Sequence, residues 1–560
     1  MNRQAIESKL EGLNIDLDKV DVEVRSGVSL LYNLIEDLSS TIRDIQAENQ
    51  KLRDENNRLK GEQGKPDIKP KNNGNKEGNK DISSEQERNN DKDKEKNKRN
   101  REPKVGKIKK DRTEVCHVDK ENLPSDAEFK GYDSVIVQDI KIETDNIEFQ
   151  KEIYYSPSQK RTYRGEVPKG YEGEYGPNVK AMTIIMKYVC NMSEPKILEF
   201  FKNVGLYISG TTISNMLIKD KEIFHKEKEE IYKAGLRSTI YQQIDDTSAR
   251  VNGENHYTHV VCNNLYTVYF TTKRKDRLTI IDVLRGFESR SFCFNAEAFR
   301  LLKELRVSNK VIKELELLQS DDKLNEDEVN KILDGIVNVE IGSITRVRIL
   351  EATAIGAYRA ETGAEVVKVL VCDDAPQFKL ITEDLGLCWV HEGRHYKKLM
   401  PIISENKRKI SLFLEQYWGY YKKLLRYQEE PSEEVAKVLD EEFDRIFWQQ
   451  TGYRELDERI LKTFAKKEEM LKVLKYPEIP LHNNGTELEA RVQVRIRDVS
   501  LQTKTDEGTK AKDTFLSIIR TAKKLGVNAY KHISDRISRQ FKMPDLSDII
   551  RSKTEGLSPG

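Results

Sequence analysis

The stretch Pro480–Asp498, PLHNNGTELEARVQVRIRD, places a carboxylate, Glu487, where a polar turn runs into a helix. Arg491 follows one helical turn later, so an acid and a guanidinium share one face. An acid that can ligate a hard cation, beside a base that can grip a phosphate, suits phosphoryl transfer. The same spacing also describes a surface ion pair, and the rest of the chain has to decide between them. Two acidic pairs stand elsewhere, Asp245-Asp246 in STIYQQIDDTSARV and Asp373-Asp374 in VVKVLVCDDAPQF. Three converging carboxylates repel one another unless a cation neutralises them, so they make sense as ligands of two Mg²⁺ (or Mn²⁺) ions about 3.5–4 Å apart. Hard oxygen donors suit these ions and not zinc. Side chains alternate along a strand, so only one of Asp245 and Asp246 can face such a site.

The elements that must position these acids are legible as periodicities. From Ser238 the pattern is that of strands: STIYQQIDDTSARV, HYTHVVCNN and LYTVYFTTK, with turn residues at Asn252-Gly253 and Asn263-Asn264, predict a three-stranded antiparallel meander. RKDRLTIIDVLRG reads as a helix, residues 289–346 as a long charged helical stretch, and VVKVLVCDDAPQF as a buried strand ending on the second acidic pair. Another short strand, GLCWV, runs into HEGRHYKKL. Strand, strand, strand, helix, strand, helix, strand is the order of a ribonuclease-H-like α/β fold, whose third acid lies on a later helix, where Glu487 stands. Residues 400–478 read as a helical insertion with Trp418 and Trp448 as core anchors. The catalytic domain is expected over 237–500, with insertions at 289–346 and 400–478.

At 560 residues the chain should divide into several units. Charged residues make up 34% and nearly cancel, at a net charge of +1, so total charge does not announce a nucleic-acid partner. Six cysteines without a CxxC argue against a disulfide framework. A mean hydropathy of −0.71 and the lack of a long apolar run argue against a membrane partner, so a soluble intracellular protein is expected. After an N-terminal segment, 1–27, residues 28–60 carry a leucine zipper, with Leu31, Leu38, Ile45, Leu52 and Leu59 at position d and Val28, Ile35, Ile42, Asn49 and Asn56 at position a. Branched residues at a with leucine at d favour a parallel homodimer, and Asn at a fixes register. Glu48 would meet Arg53, and Glu55 Lys60, across that pair. Residues 61–113 form a low-complexity charged linker. Residues 114–177 read as a small β-rich unit around VIVQDIKIE and YYSPSQKRTYRGEVP; Cys116-His117 has no second ligand pair, so zinc is not expected. Residues 178–236 are helical and helix-turn-helix-like, offering Thr211, Thr212, Ser214 and Asn215 to DNA. The basic C-terminal helical region, 501–560, continues the series Arg491, Arg495, Arg497 with Lys504, Lys510, Lys512, Arg520, Lys523, Lys524 and Lys531, which reads as a DNA-tracking surface.

QIDDTSARV, VLVCDDAPQF, LCWVHEGRHYKKL, LHNNGTELEAR and TFLSIIRTAKKLGVNAYKHI together resemble the transposases of the insertion sequence 66 family, the TnpC-type proteins of bacterial mobile elements. The resemblance covers roughly Gly176–Arg539 and the zipper. It implies a DDE transposase with a two-metal ribonuclease-H-like site, cleaving element ends and transferring 3′-hydroxyls into target DNA. It further implies double-stranded DNA partners (terminal inverted repeats and target), accessory proteins of the same element, and a cytoplasmic, nucleoid-associated location. Carried over residue by residue, the catalytic and metal-binding acids are Asp245, Asp373 and Glu487. Cys388, Trp389 and His391 match the family Cys-Trp-x-His run, Arg394 a basic position and Arg491 the Arg after the Glu; His391, Arg394, Arg491 and Arg495 would hold DNA phosphates. The chain departs from the family at Asp246 (usually Glu), His482 (usually Asp), Asp374 (usually Gly) and in its missing paired cysteines, and residues 289–346 look longer than usual. These departures motivate the alternatives of a transposase-derived DNA-binding or assembly protein without catalysis, and of a nuclease that cuts branched DNA without joining it.

Overall fold

The computed structural model describes residues 21–59, 109–119, 124 and 127–556. Most of the expected linker, and the partner residue Lys60, lie outside the described residues. In chain order the elements are α1 (Val22–Leu59), β1 (Ile153–Ser156), β2 (Arg161–Arg164), α2 (Pro177–Tyr188), α3 (Glu194–Asn203), α4 (Gly210–Ile218), α5 (Glu222–Arg237), β3 (Tyr241–Val251), β4 (Glu254–Cys262), β5 (Thr267–Thr272) and α6 (Arg277–Leu284). There follow β6 (Phe292–Phe294), α7 (Ala296–Glu304), α8 (Asn309–Glu316), β7 (Ser320–Leu324), α9 (Glu326–Asp334), α10 (Ser343–Arg359), β8 (Val369–Cys372), β9 (Asp384–Leu387), α11 (Trp389–Lys397) and α12 (Ser404–Glu429). The chain ends with α13 (Glu433–Phe447), α14 (Arg454–Phe464), α15 (Lys467–Met470), α16 (Lys472–Lys475), α17 (Asn484–Ser500), α18 (Asp506–Leu525), α19 (Ala529–Ile537) and α20 (Leu546–Glu555).

The main sheet runs β5-β4-β3-β8-β9. β3, β4 and β5 pair antiparallel, as the meander pattern required, and β8 and β9 join parallel on the other side of β3. Asn252 and Gly253, at φ 48° and 81°, supply the left-handed pair that a tight β3–β4 turn demands. β8, with every residue buried, reads as the continuous apolar run of a parallel strand covered on both faces. Edge strand β5 is closed by α18: the backbone N–H groups of Thr267, Tyr269 and Thr271 donate to Thr521 Oγ1, Ser517 Oγ and Asp513 Oδ2 at 3.1, 3.0 and 2.6 Å. Four helical residues advance about 6 Å and two strand residues about 6.8 Å, so side chains spaced by four on the helix meet every second N–H. α18 thus covers an edge that would otherwise invite another strand.

That packing corrects the expected DNA-tracking role of several C-terminal cations. Lys524 Nζ donates to the carbonyls of Asn263 and Tyr266, Lys512 is buried beside Thr271, and Arg520 pairs with Glu489. The stretch expected to be helical over 289–346 contains a short antiparallel pair, β6 with β7, and its last helix extends to Arg359. The insertion after α11 is helical as expected. Trp418 is buried in it, whereas Trp448 is 66% exposed, because it follows the end of α13 and only leans on Phe464. VIVQDIKIE is not a strand: Val135 and Val137 are 83% and 82% exposed, so alternation without a sheet to pack on leaves an irregular segment. The expected β-rich unit reduces to the β1–β2 hairpin. α1 is one 38-residue helix whose faces are used differently. Val28, Tyr32, Ile35 and Glu36 pack on Ile402 and Ile403, while the d-position residues Leu31, Leu38, Ile45, Leu52 and Leu59 are 57–84% exposed.

Candidate active site

β3 carries the first acidic pair, and its pleat separates the two. Asp245 stands opposite Val260, Asp246 opposite His259, so they face opposite sides of the sheet. Asp246 is taken up by Gln377 Nε2 at 2.6 Å and Lys275 Nζ at 3.3 Å. The second pair follows the end of β8. Asp374 is held by Lys379 at 2.5 Å and Lys466 at 3.1 Å, and although burial opposes its ionisation these two cations keep its carboxyl below the usual range. Among the described residues Asp373 accepts only the N–H of Ala375, at 3.1 Å. Glu487 lies in the first turn of α17, with Arg394 Nη2 at 3.3 Å, His391 Nε2 at 3.4 Å and Arg491 Nη2 at 3.7 Å. Glu489, two residues on, accepts from Tyr269 Oη at 2.9 Å and from Arg520 at 2.5 and 2.9 Å inside the core. In each pair one acid is tied into the scaffold and the other is left facing the site.

The turn before α17 stitches the three elements together. Asn483, fully buried, donates Nδ2 to the carbonyl of Ile244 at 2.7 Å, beside Asp245 on β3. Its backbone N–H meets Cys388 Sγ at 3.2 Å, and Trp389 N donates to Leu481 O at 2.9 Å, which ties the start of α11 to the same turn. Gln243 Nε2 donates to the carbonyl of His482 at 2.8 Å. Gly485 lets α17 come this close, since a Cβ there would stand 2.0 Å from Gln243 Oε1. Asn483, Gly485 and Gln243 were not singled out from the sequence; the Asn-Asn-Gly run gave the signal of a turn, but its partner lies some 240 residues earlier.

The electrostatics follow from burial and proximity. Burial and the neighbouring Asp373 push the Asp245 carboxyl up to about 7, with Asp246 and Glu487 adding to the repulsion. Burial likewise raises Asp373. Burial holds His391 below the ordinary imidazole range despite the nearby Glu487. Asp245 therefore feels the charge of Asp373 and Glu487, which are carried by two other elements. Among the described residues no group of three or more His, Cys, Asp or Glu side chains is gathered closely enough, as the side chains stand, to hold a metal ion. The donor set is nonetheless all carboxylate oxygen, and two of its members resist ionisation, which is the condition a hard divalent cation relieves.

Asp373, His391, Arg394, Lys398 and Arg491 line a cleft of about 760 Å³, so the expected phosphate-binding residues His391, Arg394 and Arg491 do come together with a site acid. Lys398 was not foreseen, although it belongs to the quoted HYKKL run. Arg495 is exposed one turn beyond Arg491. Thr211, Thr212 and Asn215 lie on α4, which packs against α2, α3 and α18, none of which carries a site acid. Thr212 N is spent on the Ser209 cap at 3.1 Å, and Thr211 is exposed.

The family described as "Transposase IS66 family" matches residues 172–294 and 358–511. Asp245, Asp373, His391, Arg394, Glu487 and Arg491 all fall within the matched segments, and the gap between them is filled by α7 to α10, the stretch that looked overlong in the sequence. An uncharacterized protein of Sinorhizobium fredii, y4jO, is 31% identical over 304 residues, which span 54% of this chain and 94% of that protein. The chain is therefore a member of the IS66 family of transposases.

Proposed function

We propose that this chain is a DDE transposase that cleaves the ends of its element and joins their 3′-hydroxyls to target DNA, with Asp245, Asp373 and Glu487 as the catalytic and metal-binding acids. The observation that carries the reading is the electrostatic crowding of Asp245, on β3, by acids delivered from the end of β8 and the first turn of α17. The sheet supports it: an antiparallel meander followed by two parallel strands beside its first member is the strand order of a ribonuclease-H-like fold, and we assign residues 237–500 to that domain. Two Mg²⁺ or Mn²⁺ ions held by these acids would activate a water or a 3′-hydroxyl for in-line attack and stabilise the leaving oxygen. The chain's own groups do the rest. Arg394 and Arg491, which neutralise Glu487, have further N–H donors for the oxygens of a scissile phosphate. His391, kept neutral by burial, offers Nε2 as a hydrogen-bonding group instead of a third fixed cation. Arg495 extends the basic face of α17 along a flanking strand.

The same reading assigns double-stranded DNA, terminal repeats and target alike, as partner, with Thr211, Thr212 and Asn215 reading the repeats. The exposed d-position stripe of α1 would pair two chains in parallel, accessory proteins of the element would join them, and the complex would work in the cytoplasm at the nucleoid. The test is a strand-transfer assay with wild type and Asp245→Ala. Mg²⁺-dependent joined products from the wild type alone support the proposal. Equal products, or none from either, would leave a DNA-binding or assembly protein without catalysis; cut but unjoined ends would leave a nuclease. Deleting residues 1–62 should lower the oligomeric state measured by light scattering, and an unchanged state would refute the zipper.

A further inference from the structure

A second cleft, of about 1080 Å³, opens away from the carboxylates, between α5, α18, the outer end of β5 and the Gly286-Phe287 turn. Phe270 in its wall shares a cross-strand row with His259 and Asp246, whereas Asp245 shares its row with Val260 and Tyr269, so the cleft lies on the opposite face of the sheet from the catalytic site. Three features mark it as built for a ligand. Lys228 sends its ammonium over the Phe270 ring, 4.1 Å from the centroid, and makes no hydrogen bond or ion pair with the described residues, although the Asp513 and Glu229 carboxylates stand near enough to favour its charge. Neighbouring cations of the rim are already paired, Lys233 with Glu288 at 3.4 Å and Arg237 with Glu365 at 2.6 Å. Phe287, beside Phe270 at 5.4 Å between centroids, keeps a ring 51% exposed at the mouth while its backbone sits at φ 65°, a conformation costly for an aromatic residue.

We propose that this cleft binds one nucleotide unit, its base stacked on Phe287 and its phosphate on Lys228, with Lys510 as a second cation. A flat ring and an anion are what an exposed aromatic face and an unpaired ammonium recognise together. The volume is ample for one such unit, since it slightly exceeds the roughly 300–1000 Å³ of small-molecule sites. Burial lowers the Lys228 ammonium to about 8, so the bare protein holds this charge at a cost that a phosphate would offset. The unit can be a free nucleotide or one base of a single strand, and the experiment separates the two.

Full-length protein is titrated with dAMP by calorimetry, and with a fluorescein-labelled single-stranded oligonucleotide, free or annealed to its complement, by anisotropy. Lys228→Met keeps the packing on Phe270 without the charge; Phe287→Asn removes the ring and suits the left-handed backbone. Lys226→Met, at an exposed lysine of α5 outside the cleft, is the control. Each cleft variant should lose about fivefold to a hundredfold in affinity, the range of base stacking and phosphate pairing, while Lys226→Met binds as wild type. Binding of dAMP points to a free nucleotide; binding of the single strand alone points to an unpaired DNA base. Absence of binding by the wild type to either probe, or cleft variants that bind both as wild type does, would overturn the proposal, whatever the strand-transfer assay shows.

Discussion

Replacing Asp245 by Asn should make the metal-free protein more stable, by an amount that grows as pH rises from about 4 and is complete above about 7. The folded-state carboxyl ionises near 7 because burial and Asp373 disfavour its charge, whereas in the unfolded chain it ionises near the ordinary value of about 3.9. Below pH ~4 both states are protonated and the side chain costs nothing. Between the two values the unfolded chain has given up a proton that the folded chain keeps, so stability falls as pH rises. Above 7 the full difference is present, at 1.36 kcal/mol per pH unit up to about 4 kcal/mol. Asn has the same shape without the charge, so its advantage should approach that figure at pH 8.5 and vanish at pH 4. Urea unfolding in a chelator, followed by tryptophan fluorescence, reads this, since fully buried Trp389 sits beside the site. Added Mg²⁺ should stabilise the wild type by mass action and the variant far less. A variant no more stable than wild type at pH 8.5, or one whose advantage persists at pH 4, would refute the crowding of the acids.

The two members of the second acidic pair should part company. Asp373→Asn should abolish strand cleavage with little loss of stability, whereas Asp374→Asn should keep cleavage and lose about 1–3 kcal/mol, because it strips Lys466 of one of its carboxylates; reversed phenotypes would exchange their roles. Gly485→Ala brings a methyl to 2.0 Å from Gln243 Oε1, so it should cost about 1–3 kcal/mol and at least tenfold in cleavage rate, checked by urea unfolding and single-turnover kinetics. Glu36→Ala removes the acceptor of the Ile402 and Ile403 N–H groups, at 3.0 and 2.9 Å, that caps the start of α12. Hydrogen exchange at residues 402–406 should rise by the equivalent of about 1–2 kcal/mol, and unchanged protection would mean that α1 does not dock there.

How far the sequence could be read depended on whether the information was local. The meander, the buried β8 and the acids at its end are matters of period two and of turn residues, so they were legible; the pleat alone required that one of Asp245 and Asp246 turn away, and the choice of Asp245 came from the family resemblance. α18 was misread because cations on a helix look alike whether solvated or not. Only the partner strand shows that Asp513, Ser517 and Thr521 face the β5 N–H groups and carry Lys512 and Lys524 inward with them. Trp448 failed for the converse reason, since an aromatic at a helix end has no neighbour fixed by periodicity. Asn483 and Gly485 were invisible because their requirement comes from Gln243 and Ile244, far away along the chain.

The helical insertion after α11 has a physical part in the site. Trp389 anchors α11 through Nε1 to Met470 O at 2.9 Å and through the Tyr417 hydroxyl on its own carbonyl at 2.7 Å, both from that insertion. On the face of α11 away from Glu487, buried Glu392 takes Arg459, Thr463 and Lys466, and Lys466 reaches Asp374 as well. One lysine therefore fixes both the rotation of α11, which aims His391 and Arg394 at Glu487, and the removal of the spare acid next to Asp373. Asp246 and Glu489 are disposed of in the same manner by Lys275 with Gln377 and by Arg520 with Tyr269. Asp245 and Asp373 have no such cation among the described residues, whereas Glu487 is met by Arg394 and Arg491; in the two Asp pairs that difference in partners, more than any difference in residue type, separates each acid from its neighbour in sequence.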